Sequence, residues 1–281
     1  MAPAQRSAAL SATERKAYED EGFFHRAAVF EAGELVEVRS AVEEVARDLE
    51  ARASAGRAYA LDEHDFVELP DTRLQIERET ERGKGRRLRV AEPVVHLHPR
   101  LDALVDDPRF VLPMQDLVGA PVALFTDKLN LKRPRIGSRF RWHQDAPYWA
   151  HASSHVGRLP NVMLTLDDSD ATNGCLRLLR GSHRHGYLPN EEGNGRLGAL
   201  FTHPDAVARF AVAEIGLPAG SLCFFHPFAV HGSAANRSDC ERRALVLTYQ
   251  PAGFPMFQRT EKRPTRTVSP GARRIEPSDS G

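Results

Sequence analysis

The chain reads as a mainly β protein with flanking helices, a jelly roll with N-terminal helices packed on one sheet. Two observations carry this. From about residue 121 the sequence breaks into eight short segments, VALFTDKLNLK, SRFRWHQD, NVMLTLDD, CLRLLRG, FAVAEIGL, SLCFFHP, AVHGSAAN and RALVLTYQP, with strand length and strand composition. Between them RPRIG, DATNG, PAG and ANRSD supply Gly, Pro, Asn and Asp where turns need them.

Taken in order, Ser11-x-x-Glu14 has the form of a capping box and opens a short helix that stops near Gly22, before the apolar FFHRAAVF. A longer helix follows from about Ala32 to Ala53. There Leu35, Val38, Val42, Val45 and Leu49 recur at helical spacing, and Glu37, Arg39, Glu43, Glu44, Arg47 and Asp48 fill the other face. Such a helix backs a sheet. The run ERETERGKGRRLR, Glu77 to Arg89, is charged, contains two glycines and reads as a mobile solvated loop. Residues 1–10 are expected to be a disordered N-terminus and 11–258 a single domain with its jelly-roll core from about 121. The polar, Pro-rich stretch 259–281 is expected to be a disordered tail.

Composition narrows the function. The 281 residues suffice for one sizeable core. Lys plus Arg number 38, as do Asp plus Glu, so there is no electrostatic ground for a nucleic-acid or anionic-membrane partner. A small molecule is the expected partner, and the oligomeric state is left open. Cys175, Cys223 and Cys240 form no CxxC pair, which points away from a disulfide framework or a thiolate zinc site and toward a reducing, cytoplasmic setting. The N-terminus lacks the apolar core of a signal peptide, and no run approaches the about 20 apolar residues of a membrane span.

The chemistry starts at FRWHQDAPYW. On a strand, residues i and i+2 point the same way, so His143 and Asp145 can offer a nitrogen and a carboxylate oxygen to one ion, with Gln144 facing away. His231 follows 88 residues later on another short segment, with Ser233 on the same face. In a rolled sheet, strands far apart in sequence come together. Two histidines and one carboxylate on one face of an ion make the facial triad of non-haem Fe(II) oxygenases. The rival pairs His96-x-His98 and His183-x-His185 bring no carboxylate and read as a strand end and a polar loop. Arg242 comes eleven residues after His231. With Arg242, Ala244 and Val246 inward, a guanidinium enters the barrel, where it needs an anion; the alternative is that Arg242 or Arg243 caps a strand end on the surface. Asn173, Gly174 and Cys175 read as turn and strand packing, and Phe224 and Phe225 as alternating between core and shell.

Together HQD, NGCLRLLRGSH, HGSAANRS and Arg242 resemble the phytanoyl-CoA dioxygenase family. LSATERKAYEDEGFFHRAAVFEAGELVEVRSAV resembles its helical entry, so the likeness covers most of residues 11–251. The resemblance implies a double-stranded β-helix (jelly-roll, cupin-like) core. It also implies an Fe(II)- and 2-oxoglutarate-dependent dioxygenase that consumes O2, hydroxylates a small organic or natural-product substrate, and releases succinate and CO2. By position it makes His143, Asp145 and His231 the iron ligands. Arg242, with a hydrogen bond from Ser233, then holds the distal carboxylate of 2-oxoglutarate, and Lys128 and Met163 become further cosubstrate contacts. Relatives often carry a tryptophan at the Met163 position. Halogenating relatives replace the carboxylate with a small residue, so Asp145 implies hydroxylation or another outcome of hydrogen abstraction. Tyr148 and Trp149 are candidates to line the substrate mouth, Trp149 equally a core aromatic. The competing readings are a cupin-like metal-dependent hydrolase or isomerase, which would not use the arginine, and a non-catalytic jelly-roll binding module.

Overall fold

The computed structural model describes residues 9–61, 64–77, 87–191, 200–258 and 265–268. The capping box at Ser11 forms: its hydroxyl accepts from the Glu14 N–H, and the Glu14 carboxylate accepts from the Ser11 N–H. It opens α1 (Ala12–Glu21), which left-handed Gly22 (φ 88°) closes. FFHR becomes β1 (Phe23–Arg26). In α2 (Ala32–Arg52) the buried residues include Leu35, Val38, Val42, Val45 and Leu49, the stripe that the spacing predicts.

Four strands then precede the expected start of the β region: β2 (Arg57–Leu61), β3 (His64–Glu68), β4 (Arg73–Glu77) and β5 (Arg87–Glu92). RAYAL, HDFVE and RLQIE carry a charged or small residue at every second or third place and little apolar area. Their pairing with neighbours, not their own composition, makes them strands. Glu77 ends β4 and Arg87 to Arg89 begin β5, so both ends of the charge run are strand and not loop. Residues 78–86 lie outside the described residues, as do 1–8 and most of 259–281, on which the expectations of disorder fall. Then come α3 (Pro99–Leu104) and α4 (Pro108–Val118).

All eight segments expected from residue 121 contain strands. They are β6 (Val122–Lys132), β7 (Phe140–His143), β8 (Asn161–Thr165) after the short α5 (Ala146–Trp149), and β9 (Leu176–Leu179). After α6 (Pro204–Val207) follow β10 (Val212–Ile215), β11 (Leu222–Phe225), β12 (His231–Ser233) and β13 (Arg242–Pro251).

The strands form two antiparallel sheets. The larger runs β1-β11-β8-β13-β6-β5-β4-β3-β2 and the smaller β10-β9-β12-β7. One face of the large sheet, with Leu129, Leu131, Leu164, Leu245 and Leu247, packs on α2, α3 and α4 in the main core. Each such fully buried side chain contributes about 1.5–3 kcal/mol. The other face, with Met163, Cys223, Ala244 and Val246, meets Leu176, Leu178, Ala213 and Ile215 of the small sheet. Phe224 and Phe225 belong one to each layer, and both are buried. The expected core-and-shell alternation fails there because this part of the sheet is covered on both faces.

Candidate active site

The small sheet places β12 beside β7, with His231 directly opposite His143 and the two ring centroids 4.2 Å apart. Asp145 reaches the same place differently from the strand alternation expected. β7 ends at His143, and Asp145 has helical angles (φ −75°, ψ −32°) at the start of α5. The turn from strand to helix, not the strand pleat, brings its carboxylate to the two imidazoles. One ligand atom from each residue lies within 4.8 Å of the others, about the reach of one ion with bonds of about 2.1 Å on either side. Among the described residues this is the one group of three His, Cys, Asp or Glu so placed.

The protonation pattern suits an ion. His143 Nδ1 lies 2.7 Å from the Arg141 carbonyl and His231 Nδ1 3.0 Å from the Ala229 carbonyl. A carbonyl only accepts, so each Nδ1 donates its proton and each Nε2 keeps a lone pair for a metal. Burial and the neighbouring His231 push the His143 pKa down to about 3. Burial raises the Asp145 carboxyl, but Lys128, His231, His143 and a hydrogen bond from Asn161 outweigh it and hold it below the usual carboxylate range. Asn161 Nδ2 donates to Asp145 Oδ2 at 2.9 Å, and the Thr248 hydroxyl donates to Asn161 Oδ1 at 2.6 Å. Lys128 Nζ stands 3.7 Å from Asp145 Oδ1.

Gln144 faces away, as the spacing predicts, and ties down the neighbouring loops. Its amide donates to the Gly186 and Phe228 carbonyls and accepts from the Leu188 N–H.

Arg242 and Arg243 part company at the start of β13. Arg243 turns outward to Asp167 at 2.7 Å and Glu43 at 2.9 Å. Arg242 is 4% exposed and follows the inward register of Ala244 and Val246. Among the described residues no carboxylate lies within 4.0 Å of its guanidinium, and burial pushes its pKa down to about 10. Ser233 is buried on β12, two residues past His231. Lys132, opposite Arg242 in register, is fully buried and donates to the Ser138 carbonyl at 2.7 Å and to the Ala234 carbonyl. Gly137 permits this packing, since a Cβ there would come within 2.6 Å of Lys132 Cα.

Met163 projects inward between Cys223 and Val246. Tyr148 stands edge-on to His143 with centroids 6.0 Å apart. Trp149 is 2% exposed and packs with Phe125 and Leu159, which gives it the core place left open by the sequence. The rival pairs stay apart from the triad. His98 caps α3 through Nδ1, and His183 sits in a turn of 3-10 helix against His226.

The family model for phytanoyl-CoA dioxygenase matches residues 18–244. The chain belongs to the phytanoyl-CoA dioxygenase family. With that membership goes the enzyme class read from the sequence, an oxygenase using iron and 2-oxoglutarate. An L-proline trans-4-hydroxylase of Streptomyces griseoviridis is 31% identical over 163 residues, 52% of this chain and 61% of its own length. An ectoine dioxygenase of Bordetella bronchiseptica is 29% identical over 255 residues, 86% of this chain and 75% of its own. Among solved structures, EctD from S. alaskensis with 2-oxoglutarate and 5-hydroxyectoine shares the fold. It has a TM-score of 0.67 at 20% identity, covering 98% of this chain and 90% of that one. No described helix is long and apolar enough to cross a membrane.

Asn161, Thr248 and Gln144 emerge from the structure as supports of this family member's site. Parity offered a signal for two of them: Thr248 shares the even register of Arg242 and Val246, and Asn161 that of Met163.

Proposed function

We propose that the protein is an Fe(II)- and 2-oxoglutarate-dependent hydroxylase of a small organic molecule, with residues 11–258 as one oxygenase domain. His143, Asp145 and His231 hold the iron, and Arg242 with Ser233 holds the distal carboxylate of 2-oxoglutarate. Lys128 and Met163 flank the cosubstrate, and Tyr148 faces the substrate beside His143. The observation that carries this is the pair of complementary vacancies of charge in one interior. Three donors grouped within 4.8 Å want a cation, and a buried arginine with no carboxylate within 4.0 Å among the described residues wants an anion. A hydrolase or isomerase on the same triad would leave Arg242 without a purpose.

Iron held by His143, Asp145 and His231 would supply the oxidative decarboxylation of 2-oxoglutarate that drives oxygen insertion into a substrate C–H bond. The chain's own work is placement. Backbone carbonyls fix both imidazole tautomers, Asn161 and Thr248 orient the Asp145 carboxylate, and Gln144 locks the adjoining loops. Arg242 would hold the distal carboxylate of the cosubstrate. Free Cys175 and Cys223 are buried as thiols, which suits a cytoplasmic location.

The test is anaerobic Fe(II) binding followed by succinate release from 2-oxoglutarate in air. Wild type should bind one iron and release succinate. His143→Ala and Asp145→Ala should lose both properties while keeping the wild-type circular-dichroism spectrum. A variant that remains active and metal-replete overturns the assignment.

A further inference from the structure

Glu92 is a charged group on the triad side of the large sheet that the iron and cosubstrate sites do not use. Glu92 closes β5 on the face opposite Ala91, which packs in the helix-side core, so its side chain points to the same side as the triad. Its Oε1 accepts from the Thr126 hydroxyl at 2.8 Å. Thr126 is the register partner of Thr248, whose hydroxyl bonds the Asn161 that orients Asp145. Two hydrogen-bonded pairs, Glu92 with Thr126 and Thr248 with Asn161, therefore stand side by side across β6 and β13, the second leading to Asp145.

Glu92 is half-buried and lacks a counter-ion: among the described residues no Lys, Arg or His nitrogen lies within 4.0 Å of its carboxylate. Arg73, its register partner on β4, turns instead to Glu68 at 3.8 Å. Lys128 feels the field of Glu92, but its ammonium stands 3.7 Å from Asp145 Oδ1. Tyr148, edge-on to His143, also lies in the fields of Asp145 and Glu92, and among the described residues its hydroxyl makes no hydrogen bond. A carboxylate that gives up water without a cation is costly, and a ligand that brings one recovers that cost.

We infer that Glu92 anchors a cationic nitrogen of the prime substrate, so that the enzyme acts on small amines or amino-acid-like zwitterions, with the Tyr148 hydroxyl as a second hydrogen-bonding group. This rests on the oxygenase reading above. It makes Glu92 a specificity-determining residue, which distinguishes ammonium from neutral nitrogen.

The test uses the iron-loaded 281-residue protein with 2-oxoglutarate and reads succinate release. The probes are the common amino acids and 2-aminoethylphosphonate, each beside its N-acetylated counterpart. At least one free amine should raise succinate release above the substrate-free rate, and its N-acetylated form should not. Glu92→Gln should raise the KM for that amine about ten- to hundredfold, as expected for the loss of a charge-assisted contact, with a much smaller change in kcat. It should also erase the preference over the N-acetylated form, and Glu92→Asp should restore part of it. Substrate-free succinate release that no free amine stimulates, equal stimulation by the acetylated form, or an unchanged preference in Glu92→Gln overturns the inference and leaves the oxygenase reading standing. An iron-loaded wild type that releases no succinate under any condition overturns the oxygenase reading itself, and the inference with it.

Discussion

Replacing Arg242 with methionine separates a binding role from a structural one, because the two make opposite predictions for stability. Methionine keeps the apolar stem and deletes the guanidinium. Burial moves the pKa of Arg242 from the ordinary 12.5 to about 10. At about 1.4 kcal/mol per decade, the charged side chain costs the cosubstrate-free fold about 3 kcal/mol. At 4% exposure there is little solvent to screen that cost. The methionine variant without cosubstrate should therefore be as stable as wild type or more so, by up to about 3 kcal/mol, a rise of several degrees in Tm for a domain of this size. Cosubstrate affinity should move the other way. Two hydrogen bonds to a charged partner, at about 1.5–3 kcal/mol each, correspond to a loss of about 10²- to 10⁴-fold, while Fe(II) affinity changes little. Urea unfolding of the cosubstrate-free protein, with titration of 2-oxoglutarate followed by succinate release, reads both quantities. A variant that loses more than about 2 kcal/mol of stability and keeps wild-type 2-oxoglutarate affinity would refute the reasoning and make Arg242 a structural residue.

Two further expectations follow from side chains outside the triad. Asn161→Ala frees the Asp145 carboxylate from its amide and should weaken Fe(II) about 10- to 100-fold in chelator competition, whereas unchanged iron affinity would show that the carboxylate needs no support. His226 is packed beside Tyr18, His183 and Phe228, and burial, with His183 nearby, pushes its pKa down to about 4. Between about pH 6.5 and 4 the unfolded chain takes up a proton that the folded one refuses, so stability falls as pH drops through that window, by up to about 3 kcal/mol. Urea midpoints of wild type and His226→Phe across this range should diverge at the acid end, and parallel curves would deny the histidine that role.

The sequence made the site more legible than the sheet that carries it. A metal-binding group must be spelled in specific residue types, so His143, Asp145, His231 and Arg242 could be read from identity and order. The eight strands after residue 121 were legible for a related reason, since most are apolar segments cut by Gly, Pro and Asn. β2 to β5 were not. Their residues gain strand character from a neighbour already in place, and RLQIE, standing alone, is as compatible with a loop. The manner in which Asp145 arrives was also beyond a periodicity argument, because alternation along a strand and a turn into a helix both bring i and i+2 together.

By itself, then, the sequence determined the class of chemistry, the fold family and the three residues that the structure groups as a candidate metal site, because those depend on which functional groups exist and in what order. The tertiary structure decided which of two adjacent arginines is spent. Asp167 and Glu43 lie outside the barrel and neutralise Arg243, and Arg242 is left inside with no carboxylate within 4.0 Å among the described residues. It likewise decided that Glu92, one acid among many in the chain, stands half-buried with no Lys, Arg or His nitrogen within 4.0 Å among the described residues. Charge compensation is a property of distances across strands far apart in sequence, and only the folded chain sets those distances.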